Sequence, residues 1–285
     1  MKLSTIVSIN PLPVRLTLAD KIFVLGSCFA DSMGRRLGNA GFDICINPFG
    51  TLYNPASICS AVRRLDNSKA FKPEDCVEMG AGAGLVCSFE HHTSFARATS
   101  EEFLSSANTA LEEAAVKWEA CNKVIVTLGT AQVWRRLDGS IVTNCLKRPA
   151  REFLHDTLSV DEVKALMSSL VSRHPDKQFI FTVSPIRHMG EGAHVNTISK
   201  ATLQLGLRDI SGMHACYFPS YEILLDELRD YRFYADDLIH PSSIAEEYIW
   251  ERFLEAAVPA SEHETIRLNL KSYRRTVHRP LRREQ

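Results

Sequence analysis

The stretch Lys21-Ile22-Phe23-Val24-Leu25-Gly26-Ser27-Cys28-Phe29-Ala30 decides the fold. Residues 22–25 are an apolar run without polar alternation, which is typical of a strand buried on both faces of a sheet. Gly26 ends that run, and Ser27 is a favoured cap for the helix predicted over residues 27–40. This order of strand, glycine and capped helix indicates that a parallel α/β unit begins here.

Further apolar runs and helical patterns alternate along most of the chain. Two Ser-x-x-Glu sequences, Ser159–Glu162 and Ser243–Glu246, predict capping boxes at helix starts. The alternation predicts an α/β fold in which an open parallel sheet carries helices on both faces. The strands are predicted at residues 21–26, 42–46, 122–128, 177–184 and 213–218, and the later helices at 54–65, 100–120, 160–173, 192–210, 220–229 and 243–257.

The composition excludes several classes of partner. The chain has 285 residues, 45% of them hydrophobic, and 33 basic against 34 acidic residues, so no bulk attraction to nucleic acid or to an anionic membrane is expected. No apolar run approaches the roughly 20 residues of a membrane span. The first 13 residues lack the pattern of a signal peptide. Eight scattered cysteines without a CxxC pair predict reduced thiols and a cytoplasmic protein.

One domain is expected over residues 1–260, followed by a basic C-terminal extension over 261–285. That extension could be a solvated terminal helix, or it could contact a polyanion or a neighbouring subunit. An Asp-Gly turn within 137–141 predicts a small hairpin after the third strand, and the glycine-rich residues 79–84 predict a loop.

Polar, turn-forming segments follow the predicted strands. In an open parallel sheet, ligands bind beyond the carboxyl ends of the strands, so these segments should converge on one site. The segments are Gly26-Ser27, Asn47-Pro-Phe-Gly-Thr51, Gly129-Thr-Ala-Gln-Val-Trp134 and Ser184-Pro-Ile-Arg-His188.

An Asp-x-x-His sequence precedes the helix predicted at 243. A nucleophilic serine needs a base, and the base needs an acceptor that orients its second ring nitrogen. Asp237 and His240 can place a carboxylate and an imidazole side by side in a tight turn, while Asp236 is the alternative partner. Taken singly, Ser27 could be only a helix cap and the Asp-x-x-His only a turn.

Several motifs in this order resemble the GSCFA family, which is grouped with the SGNH-like hydrolases. The resemblance spans roughly residues 20 to 255, and it implies a flavodoxin-like sheet of five parallel strands with a site that cleaves esters or transfers acyl groups. The motifs that carry it are Leu25–Ala30, Asn47–Thr51, Thr127–Trp134, Ser184–His188 and Asp237–His240.

The resemblance also implies roles for individual residues. Ser27 would be the nucleophile, His240 the general base and Asp237 its partner. The backbone N–H groups of Ser27 and Gly50 would donate to the oxyanion. Where the SGNH pattern has Gly-x-Asn, this chain reads Gly129-Thr130-Ala131-Gln132, so Gln132 is the candidate for the last donor and its register stays open.

Other residues compete for these roles. Cys28 is intrinsically the stronger nucleophile, but neighbours at a helix start point about 100° apart, so only one of the two can face His240. We expect Ser27 to face it and Cys28 to pack inward. Arg187 could bind a carboxylate or phosphate of the substrate or form an internal ion pair.

Further candidates lie near the predicted site. Asn47 and His188 are candidates for substrate contact, and Tyr53 and Trp134 could form an apolar wall or belong to the core. His91-His92 suggests a metal site together with His188 or His194, but no third ligand stands at a recognisable spacing. We therefore expect neither a metal nor an organic cofactor.

These observations predict a serine-dependent hydrolase that cleaves an ester, such as an O-acetyl or other O-acyl group of a carbohydrate. An O-acyltransferase that uses the same triad is one alternative. A non-catalytic relative that binds a carbohydrate or an acidic ligand is another. The expected partner is a small-molecule or carbohydrate ester.

Overall fold

Five parallel strands form the central sheet of the computed structural model, which describes residues 4–210 and 214–277. In chain order the strands and helices are β1 (Lys21–Gly26), α1 (Cys28–Asn39), β2 (Asp43–Ile46), α2 (Pro55–Asp66), β3 (Val77–Glu78), β4 (Val86–Cys87), α3 (Ser100–Ala120), β5 (Lys123–Leu128), β6 (Gln132–Arg136), β7 (Ile141–Val142), β8 (Phe153–Thr157), α4 (Val160–Ser172), β9 (Gln178–Val183), α5 (Ala193–Leu207), β10 (Ala215–Tyr217), α6 (Ser220–Glu222), α7 (Ser243–Ala257) and α8 (Ala260–Val277).

The strand order across the sheet is β2-β1-β5-β9-β10, which is the flavodoxin-like order. Alternate residues of β1 point to opposite faces. Ile22 and Val24 pack with α1 and α7, whereas Phe23 and Leu25 pack with α2 to α5. The structure is therefore a three-layer α/β/α sandwich, and the predicted fold class is confirmed.

Most predicted element bounds agree with the structure to within a few residues. The helix predicted over 220–229 begins with α6 and continues as a π-helix over Ile223–Leu228. The helix predicted to 210 ends at Leu207, and Met213, predicted to begin the last strand, lies outside the described residues.

One of the two predicted capping boxes is present. Ser159 and Glu162 bond reciprocally at the start of α4. The box predicted for Ser243 and Glu246 is wrong, because Ser242 is the cap of α7 and accepts from the backbone N–H of Ala245. The Glu246 carboxylate instead accepts from the hydroxyl of Ser32 on α1, so it joins two helices rather than capping one.

A second, antiparallel sheet has the order β7-β6-β8 and lies beside the carboxyl end of β5. The hairpin between β6 and β7 closes as predicted through Gly139, whose φ is +84° and whose N–H donates to the Arg136 carbonyl. β8 was not predicted because most of its side chains are exposed, so the strand lacks an apolar run. β3 and β4 are a two-residue ribbon that leaves even less pattern.

The last described helix contacts the end of α1. Ile266 of α8 is buried with the α1 and α7 side chains, and the Asn269 amide donates to the Ala40 carbonyl over 2.9 Å. The division into a domain to residue 260 and an extension stays a prediction, and residues 278–285 lie outside the described part. Among the helices described here, none combines the length and the apolar character that crossing a membrane requires.

The turn from β1 into α1 depends on the absence of a side chain at Gly26. Its φ is +145°, and a Cβ there would lie 2.2 Å from the Thr127 carbonyl oxygen of β5. The loop between β2 and α2 bonds to this residue twice: Asn47 accepts from its N–H, and its carbonyl accepts from the N–H of Leu52. The first strand can therefore end beside β5 only with glycine at this position.

We expect Gly26→Ala to lower the free energy of unfolding by about 2–4 kcal/mol, because the substitution adds a collision with the main chain of β5 to an unfavourable φ. Urea denaturation measures this loss. Gly82→Ala is the matched control, since Gly82 also has a positive φ but a Cβ added to it would meet no atom within 4 Å; we expect about 1 kcal/mol there. Equal losses in the two variants would contradict the argument.

Candidate active site

A cleft of about 540 Å³ lies beyond the carboxyl ends of β1, β5 and β9. A larger groove of about 940 Å³ between α2, α4 and the β6–β7 hairpin contains none of the predicted site residues. The smaller cleft is therefore the candidate site. It is lined by Cys28, Tyr53, Asn54, Thr130, Gln132, Trp134, Thr143, Asn144, Cys145, His155, Ile186, Arg187, His188, Met189, Gly190, Glu191, Val195, Asn196, Ser199, Ile239 and His240.

Asp237 and His240 are paired at the mouth of this cleft. The Asp237 carboxylate lies 2.6 Å from His240 Nδ1, and its other oxygen accepts the backbone N–H groups of Ile239 and His240 at 2.9 Å. These backbone hydrogen bonds, together with the imidazole, lower the pKa of Asp237 to about 2. Asp236 makes none of these contacts. The pairing predicted from the i, i+3 spacing is therefore present, and it leaves His240 Nε2 as the nitrogen available for chemistry.

Ser27 is the N-cap of α1 and lies outside the cleft. Its side chain is fully buried, and its hydroxyl accepts from the backbone N–H of Phe29 at 3.3 Å. A capping side chain turns back over the first turn of its helix, and among the described residues no hydrogen bond joins this hydroxyl to His240. Ser27 is therefore placed as a buried helix cap, and its role as nucleophile stays a prediction.

Cys28, the first residue of α1, lines the cleft that Ser27 does not reach. It is half-buried: it packs against the core on the α1 side, as predicted, and it also lines the same cleft as His240. Its Sγ lies 3.4 Å from the hydroxyl of Tyr53, which in turn accepts from the Thr51 hydroxyl at 3.1 Å. Burial, with the nearby Cys28 as a second cause, raises the pKa of Tyr53 to about 12. The phenol therefore stays protonated and can donate to a thiolate.

The two backbone donors predicted for the oxyanion are both engaged elsewhere. The Ser27 N–H donates to the Thr127 carbonyl at 3.2 Å, and the Gly50 N–H donates to the Asn47 carbonyl at 2.8 Å. Gly50 instead serves the turn, because its φ is +80° and a Cβ would lie 2.4 Å from the Cβ of His92. Both predictions are corrected, and the oxyanion donors must be sought among other groups.

Three other donors meet at the cleft. The backbone N–H of Cys28 has no acceptor among the described residues. Asn54 accepts the Ser57 N–H through Oδ1, which leaves its Nδ2 unengaged within the described chain. Gln132 lines the cleft as predicted, and its Oε1 is held by the Thr157 hydroxyl at 2.9 Å, so that its Nε2 is likewise unengaged.

The predicted substrate contacts divide into two groups. Asn47 is corrected: it is buried away from the cleft, where Oδ1 accepts the Gly26 N–H and Nδ2 donates to Asp31. Arg187 and His188 do line the cleft. Burial, and then Lys200 and His240, lower the pKa of His188 to about 4, so its imidazole is neutral near pH 7.

Of the remaining candidates, the two aromatic residues line the cleft and His91 lies in the core. Trp134 and Tyr53 both line the cleft, and the Trp134 ring lies 4.3 Å from that of His155. His91 is buried among phenylalanine rings and bonds to Ser88, and burial lowers its pKa to about 3. No group of three or more potential metal ligands occurs in the part of the chain that the structure describes.

Lys200 supports the floor of the cleft, and the sequence analysis missed it. This fully buried ammonium donates to the carbonyls of Gly129 at 2.6 Å and Ser184 at 2.8 Å, where β5 and β9 end. Burial lowers its pKa to about 7. Its signal was available: Lys200 lies four residues after Asn196 and three before Leu203, on the buried face of α5. A lysine within a buried helical face indicates such a role.

The depressed pKa of Lys200 makes stability depend on pH. The unfolded chain, with an ordinary lysine pKa near 10.4, binds more protons between pH 7 and 10 than the folded chain. The free energy of unfolding of the wild type should therefore rise relative to Lys200→Met from pH 7 to 9, by up to about 1.4 kcal/mol per pH unit.

Urea denaturation of the two proteins across this range measures the difference. Lys164→Met is the control, because Lys164 is half-exposed and its pKa is raised by Asp209, so it should follow the wild type. Parallel curves for the wild type and Lys200→Met would show that the ammonium keeps an ordinary pKa.

The comparisons with known proteins agree with the motif order. A search of curated proteins finds no match. The profile of the GSCFA family matches residues 21–253, a segment that begins with β1 and ends within α7. The cleft residues all fall within this segment. The chain belongs to the GSCFA family.

Proposed function

We propose that this protein is an acyl-transferring hydrolase in which Cys28 is the nucleophile, His240 the general base and Asp237 its orienting partner. One observation carries the proposal: Cys28 and the paired His240 line one cleft, whereas Ser27 is buried outside it. The proposal keeps the ester-cleaving chemistry that the resemblance to SGNH hydrolases implies, and it moves the nucleophile by one residue.

The position of Cys28 suits a nucleophilic sulfur. Backbone N–H groups at the start of α1 place the positive end of the helix dipole beside the sulfur. The protonated Tyr53 hydroxyl at 3.4 Å can donate to that sulfur. His240 Nε2 is the acceptor available for the thiol proton, because Nδ1 is held by Asp237.

The proposed reaction has two steps. In the first, His240 takes the Cys28 proton, the sulfur bonds to the acyl carbon, and the ester C–O bond breaks as His240 returns the proton to the leaving alcohol. In the second, His240 takes a proton from water, and the hydroxide attacks the thioester carbon. The C–S bond then breaks to release the carboxylic acid, and His240 returns its proton to the sulfur.

The negative oxygen that forms in each step needs donors already in place. The Cys28 N–H, Asn54 Nδ2 and Gln132 Nε2 are the candidates, since each borders the cleft without another acceptor in the described structure. Transfer of the acyl group to an alcohol would use the same residues. The half-buried Trp134 offers an aromatic face to an acylated sugar, the donor class that the family resemblance implies.

Acid-quenched mass spectrometry after incubation with 4-nitrophenyl acetate tests the nucleophile. We expect an acetyl group on Cys28 that hydroxylamine removes. Cys28→Ala should lose turnover by at least about a thousandfold, and His240→Ala by at least about a hundredfold.

Ser27→Ala is the matched control. It should cost about 1 kcal/mol of stability through the lost cap, while acetylation of Cys28 persists. An acetyl group on Ser27, or full turnover by Cys28→Ala, would overturn the assignment.

A further inference from the structure

Arg187 brings an unneutralised cation to the cleft. Its guanidinium donates through Nη1 to the Leu238 carbonyl at 3.0 Å and lies 5.5 Å from the centre of the Tyr234 ring. No carboxylate of the described residues pairs with it, so the internal ion pair that the sequence left open is absent there. Arginine has five N–H donors. The edge formed by Nε and Nη2 therefore has no protein acceptor among the residues described.

Two carboxylates at the cleft are paired with histidines. Glu191 lies 2.6 Å from His155 Nδ1, and Asp237 holds His240. Beneath the floor, Lys200 bonds only to main-chain carbonyls. Among the described residues, Arg187 is thus a cationic side chain on the cleft wall that no carboxylate pairs with, and its free edge can attract an anion.

Main-chain contacts fix Arg187 next to the reacting groups. Its backbone N–H donates to the Ile239 carbonyl at 3.1 Å, and its Nη1 holds Leu238, the two residues immediately before His240. Leu238 has a φ of +57°, so the loop that carries the base is held in an unusual conformation from the Arg187 side. A group bound by Arg187 would therefore lie beside His240.

We propose that the substrate of this cleft is an anionic ester, whose carboxylate or phosphate group binds the free Nε–Nη2 edge of Arg187. That the ligand is an ester rests on the proposed function. The anion site itself rests only on the geometry of Arg187. A planar fork of two N–H donors matches the paired oxygens of either group. An anion held there orients the ester with respect to Cys28 and His240, which lowers the entropic cost of the reaction.

Matched acetyl esters separate charge from shape. The probes are 4-acetoxybenzoate, 4-acetoxyphenyl phosphate and the neutral 4-acetoxybenzamide. With the wild type we expect kcat/KM for at least one anionic ester to exceed that for the amide by about tenfold or more, mainly through KM, and the better of the two identifies the anion.

Substitution of Arg187 should remove that preference. Turnover of every probe will fall in Arg187→Met, because Leu238 loses its donor. The diagnostic quantity is therefore the ratio of kcat/KM for the anionic ester to kcat/KM for the neutral ester, which should approach one. Arg187→Glu should favour 4-acetoxybenzylammonium instead. Arg232→Met is the matched control: Arg232 lies on a nearby turn, pairs with Asp230 and does not line the cleft, so the ratio should stay at the wild-type value.

Calorimetry with 4-hydroxybenzoate, phenyl phosphate and 4-hydroxybenzamide tests the anion site without turnover. Binding of an anion by the wild type that Arg187→Met loses supports the site even if no ester is cleaved, in which case the proposed function alone fails. Equal ratios in the wild type and Arg187→Met, or anion binding that survives in Arg187→Met, would overturn the inference.

Discussion

The close approach of β1 to β5 at Gly26 is the constraint on which the site depends. Because no side chain separates Gly26 from Thr127, the first strand can end against its neighbour and turn at once into α1. The backbone around this point then bonds to β5 and to the β2–α2 loop: Ser27 donates to Thr127, Asn47 accepts from Gly26, and Leu52 donates to Gly26. The position of Cys28 follows directly, since it is the first helical residue after this junction.

The fold was predictable because its information is local and repeated. Strands buried on both faces must be apolar throughout, so apolar runs such as 122–128 predict them directly. The intervening helices are predicted by their amphipathic periodicity and their caps. The strands that were not predicted from the sequence lack such a pattern. β8 exposes most of its side chains, and the two-residue strands β3 and β4 are too short to have a period. Ser242 rather than Ser243 caps α7. Glu246, which was expected to cap the helix with Ser243, instead bonds to Ser32 of α1, a contact that no local pattern contains.

The site was predictable in its location and only partly in its residues. The pairing of Asp237 with His240 follows from a short turn, so spacing alone was sufficient. Whether Ser27 or Cys28 faces the cleft depends on which residue is the cap, a difference of one position at a helix start. The Gly50 N–H was a reasonable candidate for the oxyanion donor, but in the structure it donates to the Asn47 carbonyl within its own turn. The main-chain carbonyls that Lys200 binds have no signature in sequence, so only its place on the buried face of α5 could have indicated its role.

The contact between α8 and α1 has a consequence for variation within the family. The family profile ends at residue 253, so α8 lies beyond the shared segment, yet its Asn269 bonds to Ala40 at the end of α1. A helix of 12 residues is a rod about 18 Å long, and Cys28 stands at its opposite end. A substitution at Asn269, outside the matched segment, can therefore change how firmly that rod is seated, and with it the position of Cys28, without altering a single residue of the cleft.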